Sequence, residues 1–229
     1  VTVVPEYKFE FTNTSSSKDE YIIGYVKVNA NSYTEEKGYG LGNGDYHINE
    51  NGCLPTGDNT IKIDVPDGFY DITVYRKGGA RADVYNNGVQ IINNTTSSGS
   101  QNRPSGYGVM YAPRMEVTGG QINLTIGNTS GGNERVASVE VVRVPKKYKK
   151  QVVWIAGDSE SANYYPQNAD GDDLDNNKVM MTGFGMQLEK FLSPTKYAVA
   201  NFGQPSATVK TWYNECFESV KKLIQKDDV

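Results

Sequence analysis

The residues best placed to do chemistry are the triplet Gly157-Asp158-Ser159. A serine hydroxyl becomes a nucleophile when a neighbouring base takes its proton. It transfers acyl groups well when N–H donors await the oxyanion. The triplet directly follows Gln151-Val152-Val153-Trp154-Ile155-Ala156, a continuous apolar run of the kind that forms a parallel strand covered on both faces. A serine on the turn after such a strand stands at its carboxyl end, where open α/β sheets place their ligands. Gly157 permits the sharp turn. Asp158 can tie the loop through side-chain to backbone hydrogen bonds. A helix start behind Ser159 would supply the N–H groups. The competing reading is that Ser159 caps the next helix.

The other chemistry-bearing residues are scattered. The single histidine, His47, lies in Asp45-Tyr46-His47-Ile48 and reads as a loop or surface residue, not as a base for Ser159. Cys53 and Cys216 lack metal spacing and read as two unrelated thiols. Asp170-Gly171-Asp172-Asp173-Leu174-Asp175 is rich in oxygen ligands but lacks the EF-hand spacing, so it reads as a solvated rim. No metal and no cofactor are expected. Tyr39 in Gly38-Tyr39-Gly40 and Tyr107 in Ser105-Gly106-Tyr107-Gly108 either stack on sugars or cap a core. Asn93-Asn94-Thr95 and Asn123-Leu124-Thr125 match glycosylation acceptors.

The elements that must position these residues fall in two groups. Of 229 residues, 37% are hydrophobic, with 16 Tyr and 24 Gly, a composition that favours strands and turns. Short alternating runs recur up to Val144, among them Tyr7–Phe11, Tyr25–Val28, Thr60–Val65, Phe69–Tyr75, Gln121–Ile126 and Val136–Val144. Pro66-Asp67-Gly68 predicts a hairpin or tight corner, and Asn87-Gly88 a hairpin. These features predict an all-β jelly-roll sandwich over 1–145. Residues 146–150 read as a basic linker. From 151 the pattern changes to strand, loop, helix over Gly183–Leu192, strand over Tyr197–Ala200, and helix over Val209–Lys226. The second helix carries Trp212, Cys216, Val220, Leu223 and Ile224 along one stripe. This is the opening of a three-layer α/β domain over 151–229, with two strands where a buried parallel sheet needs more. The chain reads as cut within that domain. The apolar faces of Val152 to Ile155 are therefore expected to be exposed, recruiting a second chain that completes the sheet. A net charge of −4 offers no basic face to nucleic acid. No apolar run approaches the roughly 18 residues of a membrane helix. Val1 to Pro5 lacks a signal-peptide pattern, as the start of a mature secreted protein also would.

Val153-Trp154-Ile155-Ala156-Gly157-Asp158-Ser159 resembles the first block of the SGNH, or GDSL-type, esterases, and in particular the rhamnogalacturonan acetylesterase branch of the carbohydrate esterases. Ser161-Ala162-Asn163-Tyr164-Tyr165-Pro166, Thr182-Gly183-Phe184-Gly185 and the segment Ala200–Trp212 resemble the loops that follow in that branch. The sandwich resembles the galactose-binding-type jelly roll found ahead of such esterases. The resemblance implies a flavodoxin-like α/β domain and Ser159 as nucleophile, with Gly157 and Asp158 in support. It implies an oxyanion hole built by Ser159 and by Gly203 or Ser206. Ser206 stands where the branch usually has glycine, and Gly203 is the only glycine in the segment. Glu160 stands where the family usually has Thr or Leu. The catalytic histidine and aspartate of the family, and its oxyanion asparagine, are not in this chain. The implied function is removal of O-acetyl groups from pectic polysaccharide of the plant cell wall by a secreted, bacterial enzyme, active only with the C-terminal remainder of the domain. The alternative is a non-catalytic carbohydrate-binding module with an inert α/β remnant.

Overall fold

A computed structural model of the chain describes residues 6–11, 25–28, 32–42, 46–49, 52–55, 60–77, 82–93, 107–128, 135–145, 150–162 and 183–229. Up to residue 145 the described elements are strands: β1 (Glu6–Glu10), β2 (Val26–Lys27), β3 (Tyr39–Leu41), β4 (Tyr46–Asn49), β5 (Gly52–Pro55), β6 (Ile61–Asp64), β7 (Gly68–Lys77), β8 (Ala82–Asn86), β9 (Val89–Ile92), β10 (Tyr107–Val117), β11 (Gln121–Asn128) and β12 (Arg135–Val144). They form a seven-stranded sheet, β10-β7-β12-β1-β2 with β5 joined to β12 and β4 to β5, and a five-stranded sheet, β3-β6-β11-β8-β9. Pairing is antiparallel except between β1 and β2.

Alternation explains the layers. In β6 the two isoleucines are buried while Lys62 and Asp64 are half-exposed. Tyr70, Ile72, Val74, Met110, Val139 and Val141 of one sheet share a core with Ile61, Ile63, Val84, Ile122 and Leu124 of the other. This is sandwich-like packing. Pro66-Asp67 makes a corner, not a hairpin, because β6 and β7 belong to different sheets. The β8–β9 hairpin turns at Asn87 and Gly88 with φ of 49° and 78°, the two positive angles that a tight hairpin turn demands. Tyr39 packs its ring 4.9 Å from Phe9 and serves the core. Tyr107 begins β10 and His47 lies in β4, but their side chains, the linker residues 146–149 and the acidic loop 170–175 lie outside the described residues.

Beyond residue 150 the strands β13 (Gln151–Gly157) and β14 (Tyr197–Gly203) pair in parallel, from Gln151 opposite Tyr197 to Gly157 opposite Gly203. Helix α1 (Phe184–Gln187) continues as a 3₁₀ turn over Leu188–Phe191. Helices α2 (Val209–Trp212) and α3 (Glu218–Leu223) flank a π-helical turn over Tyr213–Phe217. The expected stripe holds for Cys216 and Val220, which pack with Val152, Ala200 and Phe202 and touch Trp212 and Leu223. It fails at Ile224, which leaves the helix in an extended conformation and is 48% exposed. The first helix does not bury its aromatic residues. Phe184 and Phe191 point to solvent, and the buried contact is Gly185. Val152 and Ile155 are buried and Val153 and Trp154 half-buried, so the strand is not the exposed apolar face that the sequence suggested. Helix α3 and the sandwich supply part of the cover. Leu223 packs against both cores, and the backbone N–H of Gln90 donates to Ser219 Oγ at 3.1 Å.

The seam is closed by one carboxylate. Asp228 pairs with Arg114, both side chains being almost fully buried. Asp228 also accepts from Trp154 Nε1 at 3.0 Å, from the N–H of Val152 at 3.1 Å and from the N–H of Gln225 at 2.9 Å. Arg114 sits in a β-bulge between Ala112 and Met115, with φ of 52°, and its N–H donates to Asp71 Oδ1 at 2.9 Å. Next to Asp228, the N–H of Val229 donates to the Val152 carbonyl at 3.0 Å and its carbonyl accepts from the Trp154 N–H at 2.8 Å. This is parallel pairing to the second edge of β13.

Burial pushes the Asp228 carboxyl up, but hydrogen bonds from Arg114, Gln225, Trp154 and Val152 outweigh it and hold it below its ordinary value. A carboxyl lowered in the folded state contributes stability above its unfolded value of about 3.9 and loses it as pH falls through the folded value. Urea unfolding should therefore show the wild type losing stability below about pH 4. Asp228→Asn should be less stable by about 3 kcal/mol at pH 7, since one partner of a buried pair is gone. Its acid dependence below pH 4 should be flatter than that of the wild type.

Candidate functional site

Strands β13 and β14 end level with each other, so their outgoing turns lie at the same end of the parallel pair. The β13 turn carries Asp158, Ser159 and Glu160, all exposed. Asp158 acts as expected: its Oδ1 accepts from the Glu160 N–H at 3.0 Å. Its carbonyl accepts from the N–H groups of Ser161 and Ala162, both at 3.1 Å, and from Ser161 Oγ at 3.0 Å. The expected helix start behind Ser159 is replaced, over 158–162, by this single hydrogen-bonded turn. Residues 163–182 lie outside the described residues.

The β14 turn carries Gly203 and Ser206, and the structure separates their roles. Gly203 is buried and its N–H donates to Asn201 Oδ1 at 2.9 Å. A side chain there would overlap Ser161 Oγ and the backbone of Ala162. Gly203 is thus required by close packing of the two turns. Ser206 is exposed with φ of 65°, the left-handed conformation that glycine adopts most easily. It occupies a glycine-like position without being one. Just beyond it, Thr208 caps α2 in a reciprocal box with Thr211.

Asn201 was not singled out from the sequence, yet it joins the two turns. Its Nδ2 donates to the Ser161 carbonyl at 2.6 Å while its Oδ1 holds Gly203. Gly185 fits against the same asparagine and the Ser161 carbonyl, and the Phe184 N–H donates to the Glu160 carbonyl at 2.7 Å. The Gly183-Phe184-Gly185 turn is therefore fastened to the serine turn. Asn93 begins one of the two matches to a glycosylation acceptor. It is buried instead, with Nδ2 donating to the Phe202 carbonyl at 3.1 Å. Trp212 Nε1 donates to the same carbonyl at 2.8 Å. Cys216 lies beside them, its thiol pushed up to about 12 by burial and by Asp83 and Glu215. His47 lies opposite Leu54 in the β4–β5 hairpin.

A cavity of about 280 Å³ lies at the seam between the sandwich and β14, lined in part by Ile91, Met110, Tyr111, Met186, Asn201 and Phe202. Ser159, Gly203 and Ser206 are not among its described walls. Gly185 and Asn201, which pack on the serine turn, also line it.

No protein-family model matches the chain. It is 24% identical, over an alignment of 242 residues covering 97% of this chain and 57% of the relative, to the uncharacterized esterase YxiM of Bacillus subtilis (strain 168). The crystal structure of the YxiM protein from Bacillus subtilis is similar in fold, with a TM-score of 0.69 and 24% identity over 98% of this chain and 62% of that one. The chain thus shows distant homology to an esterase and spans less than two thirds of its length.

Two substitutions test the turn geometry. Gly203→Ala should destabilise the protein by about 2–4 kcal/mol, because the new methyl has no room against backbone. Ser206→Gly should be neutral or stabilising by up to about 1 kcal/mol, since relief of the left-handed strain offsets the entropy of glycine. Chemical denaturation of the two variants beside wild type measures both.

Proposed function

We propose that the chain belongs to a serine carbohydrate esterase of SGNH type that removes O-acetyl groups from a pectic polysaccharide. In this reading Ser159 attacks the acetyl carbonyl. Its own N–H and that of Ser206 hold the oxyanion. Ser206 is preferred to Gly203 because the Gly203 N–H already serves Asn201 and because Ser206 has the glycine-like φ. A histidine supplied by sequence after residue 229 takes the Ser159 proton and returns it to the sugar hydroxyl, while an aspartate orients it. Water then attacks the acetyl-enzyme and releases acetate. No cofactor enters this chemistry. The observation that carries the reading is the level ending of β13 and β14, which brings the Ser159 and Ser206 turns together at one carboxyl end. The esterase relative supports it. The pairing of Val229 to the second edge of β13 fits a third parallel strand, as a three-layer α/β domain requires. Bacterial secretion and an acetylated plant cell-wall substrate follow from the same reading and are proposed with it.

In the full-length protein, Ser159→Ala should lower hydrolysis of acetyl esters by at least about 10⁴-fold, with circular dichroism showing the fold intact. Acetate release from acetylated pectin and from p-nitrophenyl acetate is the measurement. A full-length wild type that cleaves neither substrate refutes the esterase reading.

A further inference from the structure

The two strands that deliver the serine turn and its partner turn are each held from the sandwich by a buried side chain. Strand β13 is held through Asp228, whose carboxylate takes the Val152 N–H and the Trp154 indole while paired with Arg114 of β10. Strand β14 is held by Asn93, at the end of β9, whose amide donates to the Phe202 carbonyl. Phe202 is followed directly by Gly203 and the Ser206 turn, and Trp154 lies five residues before Ser159. Both anchors are buried. Arg114 is fixed by its bulge and by Asp71, and Asn93 is 1% exposed.

On the esterase reading above, we infer that the sandwich is a built-in part of the catalytic unit, with Arg114 and Asn93 as positioning residues that set the alignment of the Ser159 and Ser206 turns. A detachable glycan-binding module would meet its neighbour through an exposed linker and a small polar contact. Here the seam contains a nearly fully buried ion pair, a buried amide and a leucine, Leu223, packed into both cores. Neither Arg114 nor Asn93 touches substrate. They act through β13 and β14, and oxyanion geometry is sensitive to displacements of about 1 Å.

The test uses full-length protein and p-nitrophenyl acetate, an ester too small to need a separate glycan site. Rates are taken at a temperature where circular dichroism shows each variant fully folded. Arg114→Met and Asn93→Leu should each lower kcat by about tenfold or more with KM within about twofold. Arg114→Lys, which keeps a cation opposite Asp228, should recover part of the loss. If Arg114→Met does not fold, Asn93→Leu on the other strand decides. Folded variants with lower melting temperatures but wild-type kcat overturn the inference and leave the esterase reading intact. A wild type inactive on every acetyl ester overturns both.

Discussion

The carboxylate of Asp228 closes the gap between two differently built halves of the molecule. An antiparallel sandwich pairs most of its backbone groups within its own sheets, leaving only its edge strands open. A two-stranded parallel pair does not: it has open edges and faces, and parallel strands are normally buried on both sides. Asp228 sits where these requirements meet. It takes a guanidinium from the sandwich, an indole N–H and a backbone N–H from β13, and the Gln225 N–H of its own turn. The pair is tolerable in a buried seam because its charge is shared among four donors. Its neighbour Val229 then lies along β13 in parallel register.

With β13 and β14 held in this way, the two turns at their carboxyl ends pack against each other more closely than side chains allow. Gly203 and Gly185 sit where a methyl group would overlap backbone or Asn201. Asn201 bonds to both turns, with its carbonyl oxygen on Gly203 and its amide on Ser161. The local rigidity near Ser159 comes from this asparagine and from Asp158, not from the helix start that a strand-turn-helix motif suggests. For the esterase proposed above, turns braced in advance would cost no reorganisation during reaction.

The helical segment from Val209 to Leu223 shows how the two halves share a surface. Cys216 and Val220 face β13 and β14, while Leu223 reaches both cores. The π-helical turn adds a residue within the stripe, and the helix stops before Ile224. Sequence periodicity, which assumes a constant 3.6-residue turn, cannot see such an insertion.

Local pattern determined much of this protein. The alternation of Ile61-Lys62-Ile63-Asp64, the Asn87-Gly88 turn and the apolar run before Gly157-Asp158-Ser159 each dictate backbone shape from near neighbours, and those elements are where the sequence predicts them. The roles that depend on partners distant in sequence were decided only by the tertiary structure. Asn93 looks like a surface acceptor until Phe202 is placed against it. Gly203 and Ser206 look alike as turn residues until one is seen packed on Ser161 and the other at positive φ. Arg114 and Asp228 are ordinary charged residues, 114 positions apart, and become a pair when the sandwich folds against the parallel strands. Short-range periodicity carries information about a residue's own backbone, whereas burial, close approach and ion pairing depend on which distant segment arrives next to it.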